Sequence, residues 1–289
     1  MSELEKNGRR KVSVSTFGRM KTQAQKVVMV TSYDYPTAKI ADEVGVDSVL
    51  VGDSYGMVVL GYDTTVPVTV DELLPVCRAV KRGAAHPLLI GDMPFMSFQV
   101  SAEEAVRNAG RFVKEGGMEA VKVEGGRDVS RIVSAIARAG IPVLGHIGVA
   151  PQTASLHGGY RIQGKNPDSA KALLEDAIAL EEAGAFGLVL EMVTEEAART
   201  ITEKISIPTI GIGSGRYCDG QVLVLHDIIG LYPRFTPRFA KRYADVAELI
   251  KQSLEKYTGD VRSGEFPEEQ NVFRMDEDRK LGLNSRRKT

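Results

Sequence analysis

Short apolar runs alternate with longer amphipathic stretches along most of the chain. The runs lie at 26–31, 46–51, 86–90, 120–123, 141–144, 186–190, 207–210 and 221–225 and are rich in Val, Ile and Leu. Continuous apolar segments of this length are what strands buried on both faces require. Helical stretches are predicted at 36–45, 70–82, 101–116, 128–139, 168–183, 194–204 and 237–257, so seven of the eight runs are followed by one. Start and stop signals bracket these stretches. Pro36 opens the first and Gly45 closes it, Asp71 and Glu72 favour the start of the second, Ser101 and Glu104 form a capping box, and Gly116, Gly140 and Gly184 end later ones. Parallel strands need crossover helices. Eight such units predict an α/β fold closed as a (β/α)8 TIM barrel. A doubly wound open sheet is the alternative, but it would place G-x-G-x-x-G after the first strand, where this chain has SYDYP.

A barrel gathers its chemistry at the C-terminal ends of the strands. Taken in order, those ends carry Asp34, Asp53 with Ser54, Asp92, Glu124, His146, Glu191, the GIGSG loop at 211–215, and His226 with Asp227. Asp53 ends the apolar run VDSVLVGDS, an unusual place for a carboxylate that binds nothing. Lys122 precedes Glu124 by two positions, so both share the inward face of their strand. Asp53, Asp92, Glu124 and Glu191 converging on one mouth would repel one another, so their pKa values rise or a cation binds. Hard oxygen ligands without cysteine suit Mg²⁺, Mn²⁺ or Ca²⁺ better than zinc.

Each of these residues also has a plainer structural reading. An Asp after a strand is often a helix cap or turn former, and Asp34 fits a turn into the helix at Pro36. Glu124 could serve only as the partner of Lys122. His146 could equally be a satisfied core histidine. His86, at the N-terminal end of its strand, reads as structural, while His157 and His226 carry no assignment. GIGSG is compatible with a phosphate grip or with tight loop packing.

Composition narrows the picture. The chain has 289 residues, 43% hydrophobic and 26% charged, within the usual range for a globular protein. Its 37 Lys and Arg nearly balance 38 Asp and Glu, a formal net charge of −1. That leaves no global pull towards nucleic acid or anionic membrane. Its two cysteines, Cys77 and Cys218, sit in no CxxC or Cys/His cluster, which favours a reducing compartment over a disulfide framework. Neither a signal-like N-terminus nor a membrane-length apolar run is present in the sequence, so a cytoplasmic protein is expected. The barrel is expected over 21–260. Residues 1–20 read as a solvated basic arm with a short ordered piece at 15–20, and 261–289 as a polar tail.

The motifs VGDSYGMVVLGYDTTVPVT, LLIGDMPFMSF, AVKVEGG, GHIGVAPQ, HGGYRIQGK, LVLEMV and IPTIGIGSG occur in that order. Over roughly residues 12–257 the chain resembles the ketopantoate hydroxymethyltransferases, also called 3-methyl-2-oxobutanoate hydroxymethyltransferases. The resemblance implies a phosphoenolpyruvate-mutase-like barrel. It also implies transfer of a one-carbon unit from 5,10-methylenetetrahydrofolate to 3-methyl-2-oxobutanoate, giving 2-dehydropantoate for pantothenate and coenzyme A. It further implies Mg²⁺ and a homodecamer of two face-to-face pentameric rings, a pentamer of dimers. By motif, Asp53 and Asp92 would ligate the metal, with Glu124 a further ligand or a group behind it. Asp53, Ser54, Asp92 and Lys122 would hold the 2-oxo acid, and Glu191 would accept the proton.

Elementary chemistry agrees with those roles. A 2-oxo acid chelates Mg²⁺, a Lewis acid that stabilises an enolate, and a carboxylate must take the C3 proton. Burial in FGLVLEMV is expected to raise Glu191 towards a useful pKa. Lys122 offers a fixed positive charge, and His146 could orient a substrate group. The long loops 55–69 and 149–167 could cover the site or form subunit contacts. Two other readings stand beside this one. A 2-oxo-acid lyase or mutase would use the same metal–enolate core, but no KKCGH-like motif is present. A metabolite-binding or assembly protein would have no need of the acidic strand ends.

Overall fold

A computed structural model of the chain describes residues 9–157 and 159–275. The eight apolar runs are strands β1 (Val27–Thr31), β2 (Ser48–Val51), β3 (Leu88–Asp92), β4 (Ala120–Glu124), β5 (Val143–Gly148), β6 (Gly187–Glu191), β7 (Thr209–Ile212) and β8 (Gly220–Leu223). Each pairs in parallel with the next, and β8 pairs back onto β1, closing the barrel. Helices α1 (Val14–Thr22), α2 (Tyr35–Val44), α3 (Tyr55–Val58), α4 (Val70–Gly83), α5 (Ala102–Lys114), α6 (Ser130–Arg138), α7 (Pro167–Glu182), α8 (Glu195–Lys204) and α9 (Leu225–Ile228) belong to the same compact unit, Met1–Tyr243. A second unit, Ala244–Thr289, contains α10 (Val246–Ser263) and a 3-10 turn at Glu269–Asn271.

Local chemistry sets the helix ends. Asp34 caps α2 by accepting the Thr37 amide, and Gly45 ends it at φ 91°, a left-handed conformation that a residue with a Cβ resists. Thr69 and Glu72 form a full capping box on α4. The box expected at Ser101 and Glu104 is half formed: Ser101 accepts the Glu104 amide, with no return bond from Glu104.

Alternation along the strands decides what faces the barrel interior. Met29, Leu50, Leu88, Ile90, Ala120, Leu144, Val189, Ile210 and Val222 pack together as one apolar cluster. The same inward parity continues upward to Asp92, Lys122, Glu124, His146 and Glu191 at the C-terminal ends. Lateral register then makes neighbours of them: Asp92 pairs with Lys122, Glu124 with His146, and Gly148 with Glu191. The interior is thus apolar below and charged above.

Two expectations are corrected by packing. The arm expected to be solvated is tied down from Arg9 onward: Arg9 bonds the Val46 carbonyl and Lys11 the Pro87 carbonyl, each at 2.6 Å. Val12 donates to the His86 carbonyl at 2.8 Å, and α1 buries Phe17 and Met20 against the lower barrel cluster, with Phe17 edge-on to Phe186. The helix expected over 237–257 begins only at Val246. Pro237 would be tolerated in a first helical turn, but Phe239 packs against Gly213 and the Tyr243 amide donates to the Ile228 carbonyl at 2.8 Å, contacts that hold this stretch outside a helix. The chain instead turns at 237–240, where the Ala240 amide meets the Pro237 carbonyl.

Candidate active site

Buried charges in the barrel mouth have to be paired, and the register supplies the partners. Lys122 Nζ lies 3.1 Å from Asp92 Oδ1 and donates to Glu124 Oε1 at 3.1 Å. The Lys122–Asp92 contact is an ion pair too bent for a hydrogen bond, so Asp92 Oδ1 is buried without one. His146 Nδ1 sits 3.2 Å from Lys122 Nζ and 3.3 Å from Glu124 Oε1. Its Nε2 faces Glu191 Oε2 at 3.3 Å, again out of line for a hydrogen bond. The Glu191 side chain is 15% exposed, against 3% for Glu124. Asp53, beyond the end of β2, reaches the group through its backbone: its amide donates to Asp92 Oδ2 at 3.0 Å.

The electrostatics follow from burial competing with pairing. Burial pushes the Asp53 carboxyl well above its ordinary value, and the neighbouring Asp92 and Glu124 charges add to this. Burial also raises Asp92, against the pull of Lys122. Glu124 behaves oppositely: despite burial, Lys122 and His146 hold it down at about 2. Burial and Lys122 oppose protonation of His146, yet Glu124 and Glu191 hold it up at about 9. Lys122 stays protonated because Asp92, Glu124 and Asp53 outweigh its desolvation. The Asp53–Asp92 pair is therefore short of positive charge, while Glu124 has two cationic neighbours.

These residues line one cavity of about 570 Å³ at the mouth. Its polar wall is Asp53, Ser54, Asp92, Lys122, Glu124, His146 and Glu191. Apolar and aromatic side chains also line the cavity, among them Met57, Met192, Ile212, Tyr232, Phe235 and Phe239. The segment that carries Tyr232 to Phe239 is tied to the loop after β2 by Arg234, which bonds Asp63 and the Gly61 carbonyl at 2.8 and 3.0 Å.

All seven candidate residues thus meet in one place. The plainer readings hold at three others: Asp34 caps α2, His86 pairs with Asp42 at 2.9 Å, and the GIGSG loop is packed. In that loop Ser214 donates to the Leu190 carbonyl and accepts the Val193 amide. Gly213 has φ 64°, and a Cβ there would lie 2.8 Å from Phe239. His157 stays unassigned, since its side chain lies outside what the structure describes, and His226 stacks near Tyr33 with ring centroids 5.6 Å apart. Gln152 was missed from sequence. Its side chain donates to Asp53 Oδ2 and the Met93 carbonyl, both at 3.0 Å, while its amide donates to Glu124 Oε2 at 3.2 Å. Its only signal was membership of the GHIGVAPQ motif, where nothing marked the glutamine apart from its neighbours.

A solved phosphonopyruvate hydrolase in complex with oxalate and Mg²⁺ superposes with a TM-score of 0.59 at 11% identity, over 89% of this chain and 92% of that one. A 2,3-dimethylmalate lyase of the PEP mutase/isocitrate lyase superfamily gives 0.56 at 14%, over 90% and 91%. At such identities the likeness concerns the fold, a phosphoenolpyruvate-mutase-like barrel. Sequence relatives stand much nearer. The 3-methyl-2-oxobutanoate hydroxymethyltransferase of Carboxydothermus hydrogenoformans is 54% identical over 92% of this chain and 96% of its own length. That of Thermosipho melanesiensis is 53% identical over 91% and 99%. Residues 11–269 match the family described as ketopantoate hydroxymethyltransferase, and the chain belongs to that family.

Proposed function

We propose that the protein is a 3-methyl-2-oxobutanoate hydroxymethyltransferase of pantothenate biosynthesis. It converts 3-methyl-2-oxobutanoate, 5,10-methylenetetrahydrofolate and water into 2-dehydropantoate and tetrahydrofolate. The observation that carries this reading is one cavity whose lining combines the charged Asp53, Asp92, Lys122 and Glu191 with apolar and aromatic side chains such as Met57, Tyr232, Phe235 and Phe239. The two substrates must touch at one carbon. A volume of about 570 Å³ lies in the range that houses drug-sized ligands and exceeds what a small oxo acid alone would fill.

Mg²⁺ fits the residues present. Asp53 and Asp92 are acidic groups short of positive charge, and Asp92 Oδ1 is buried without a hydrogen bond. Among the described residues no three His, Cys, Asp or Glu side chains form a ready cage, but Mg²⁺ ordinarily takes one or two carboxylates, waters and a chelating substrate. Glu124 has both oxygens engaged, by Lys122 and the Gln152 amide, which favours a place behind the metal for it. Bound there, Mg²⁺ supplies Lewis acidity that stabilises negative charge on the keto oxygen.

The chain's own groups do the rest. Lys122 and Ser54 hold the oxo-acid carboxylate. Glu191 takes the C3 proton, and His146 at 3.3 Å steadies its charge. C3 then bonds to the donor's methylene carbon as that carbon's bond to one folate nitrogen breaks; water supplies the hydroxyl as its bond to the other breaks, and the two nitrogens take up the C3 proton and one water proton. The apolar lining takes the flat pterin and excludes solvent. A homodecamer in the cytoplasm belongs to the same reading, and light scattering of the purified protein should return ten chain masses. No helix among the described residues is long and apolar enough to cross a membrane.

The test is deuterium exchange. Protein, 3-methyl-2-oxobutanoate and Mg²⁺ in D₂O, without folate, should lose the C3 proton signal by NMR, and chelation of the metal should stop the loss. Adding 5,10-methylenetetrahydrofolate should then yield 2-dehydropantoate. Absence of both exchange and product in folded protein refutes the proposal. Exchange without product points to a lyase or mutase on the same core.

A further inference from the structure

We propose that Tyr33 is a positioning residue that turns the Ser54 hydroxyl towards the substrate carboxylate. The inference rests on the oxo-acid reading above. Ser54 stands at the N-cap of α3, where a serine ordinarily spends its oxygen on a backbone N–H, yet it makes no such bond. Its Oγ lies instead 2.6 Å from Tyr33 Oη, between β1 and α2. Tyr33 is 6% exposed, and its ring is held between Tyr55 and His226, each with its centroid 5.6 Å away.

Either oxygen can give the hydrogen of the 2.6 Å bond, and we assign it to Tyr33. Ser54 has one hydrogen, so where that hydrogen serves the cavity the Tyr33 hydrogen must close the bond between them. Burial raises the phenol pKa, so Tyr33 remains a donor across the working range. Ser54, receiving rather than giving to Tyr33, offers its hydrogen to the cavity it lines. A carboxylate is an acceptor only, so this is the orientation that an oxo acid requires. Gly52 leaves room for the arrangement: a Cβ there would stand 3.2 Å from Ser54 Oγ, 3.6 Å from Tyr33 Oη and 3.7 Å from Asp92 Oδ2.

The experiment compares Tyr33→Phe, Ser54→Ala and the double variant with wild type, in steady-state kinetics with Mg²⁺. Tyr33→Phe keeps the ring and should raise KM for 3-methyl-2-oxobutanoate roughly three- to tenfold, the range of one lost hydrogen bond. Its kcat should stay within about twofold, and KM for the folate should not move. In the Ser54→Ala background the same change should add nothing. An unchanged KM, or an equal loss with and without Ser54, overturns the proposal, the latter because Tyr33 would then act through packing alone. Should Tyr33→Phe fail to fold, Ser54→Ala alone keeps the test: it should raise the same KM, and an unchanged KM overturns the proposal, because Tyr33 would then have no substrate-binding hydroxyl to orient. A wild type that neither binds nor turns over the oxo acid overturns the function reading along with this one, whereas an active wild type matched by Tyr33→Phe overturns this one alone.

Discussion

Lys122 shows how one side chain organises a site. An unpaired buried ammonium is too costly to keep, so its presence in an apolar strand already required acids nearby, and Asp92 and Glu124 meet it at 3.1 Å. Glu191 is set apart from those acids, touching His146 and more open to the cavity. Replacing Glu191 by Gln should leave Mg²⁺ and oxo-acid binding intact by calorimetry, while C3 exchange falls by about 10²-fold or more. Normal exchange would assign the base elsewhere. Asp227, also on the cavity wall, tests the electrostatics away from the metal ligands. Burial raises its pKa from 3.8 to about 6, against the pull of Arg242. A carboxyl raised on folding stabilises the protein below its unfolded value, and that contribution is lost as pH climbs through its folded value. Asp227→Asn should therefore match wild type near pH 4 in chemical denaturation and gain on it progressively towards pH 7. A flat difference across that range would show that the carboxyl is not held in this way.

Two elements do work that their sequences only half announce. Helix α1 lies in a stretch rich in basic residues, and its value is visible only where Phe17 meets the barrel cluster beneath the strands. Phe17→Ala should cost about 3–5 kcal/mol in denaturant unfolding, the usual loss for a buried phenylalanine. A cost under about 1 kcal/mol would mean that α1 is only loosely attached. The loop after β7 is the second case. Its GIGSG sequence is as consistent with holding an anion as with packing, and the Phe239 ring against Gly213 favours packing. Gly213→Ala would force both a left-handed residue and a 2.8 Å contact. A destabilisation of about 1–3 kcal/mol is expected by thermal melting.

Across the whole molecule, the barrel divides its mouth by strand. The ends of β2 to β6 supply most of the charged lining, while Ile212 of β7, Val222 and Leu223 of β8, and Tyr232, Phe235 and Phe239 after α9 supply much of the apolar lining. That division predicts separable losses. Phe235→Ala should raise KM for 5,10-methylenetetrahydrofolate several-fold, yet leave the folate-independent exchange of the oxo acid unchanged. Slower exchange in this variant would mean that the two halves are not independent. Closure of the barrel also explains why Gln152 and Tyr33 escaped notice. Gln152 bonds Asp53 across 99 positions, and Tyr33 bonds Ser54 across 21. Neither residue type is unusual at its own place in the chain.

Apolar periodicity and helix end signals established eight strands and the six helices α2 and α4 to α8, because a strand buried on both faces leaves little choice of residue type. The same alternation put Lys122 and Glu124 on one face, and the motif set sufficed to assign the family. The meeting of Asp53, Asp92, Glu124, His146 and Glu191 depended on closure and on lateral register, which couple residues through space rather than along the chain. So did the sorting of four similar carboxylates into two raised ones and one held at about 2, with Glu191 left facing His146. The physical reason is that a carboxylate's pKa and role follow from its burial and charged neighbours, and only the folded barrel chooses those neighbours.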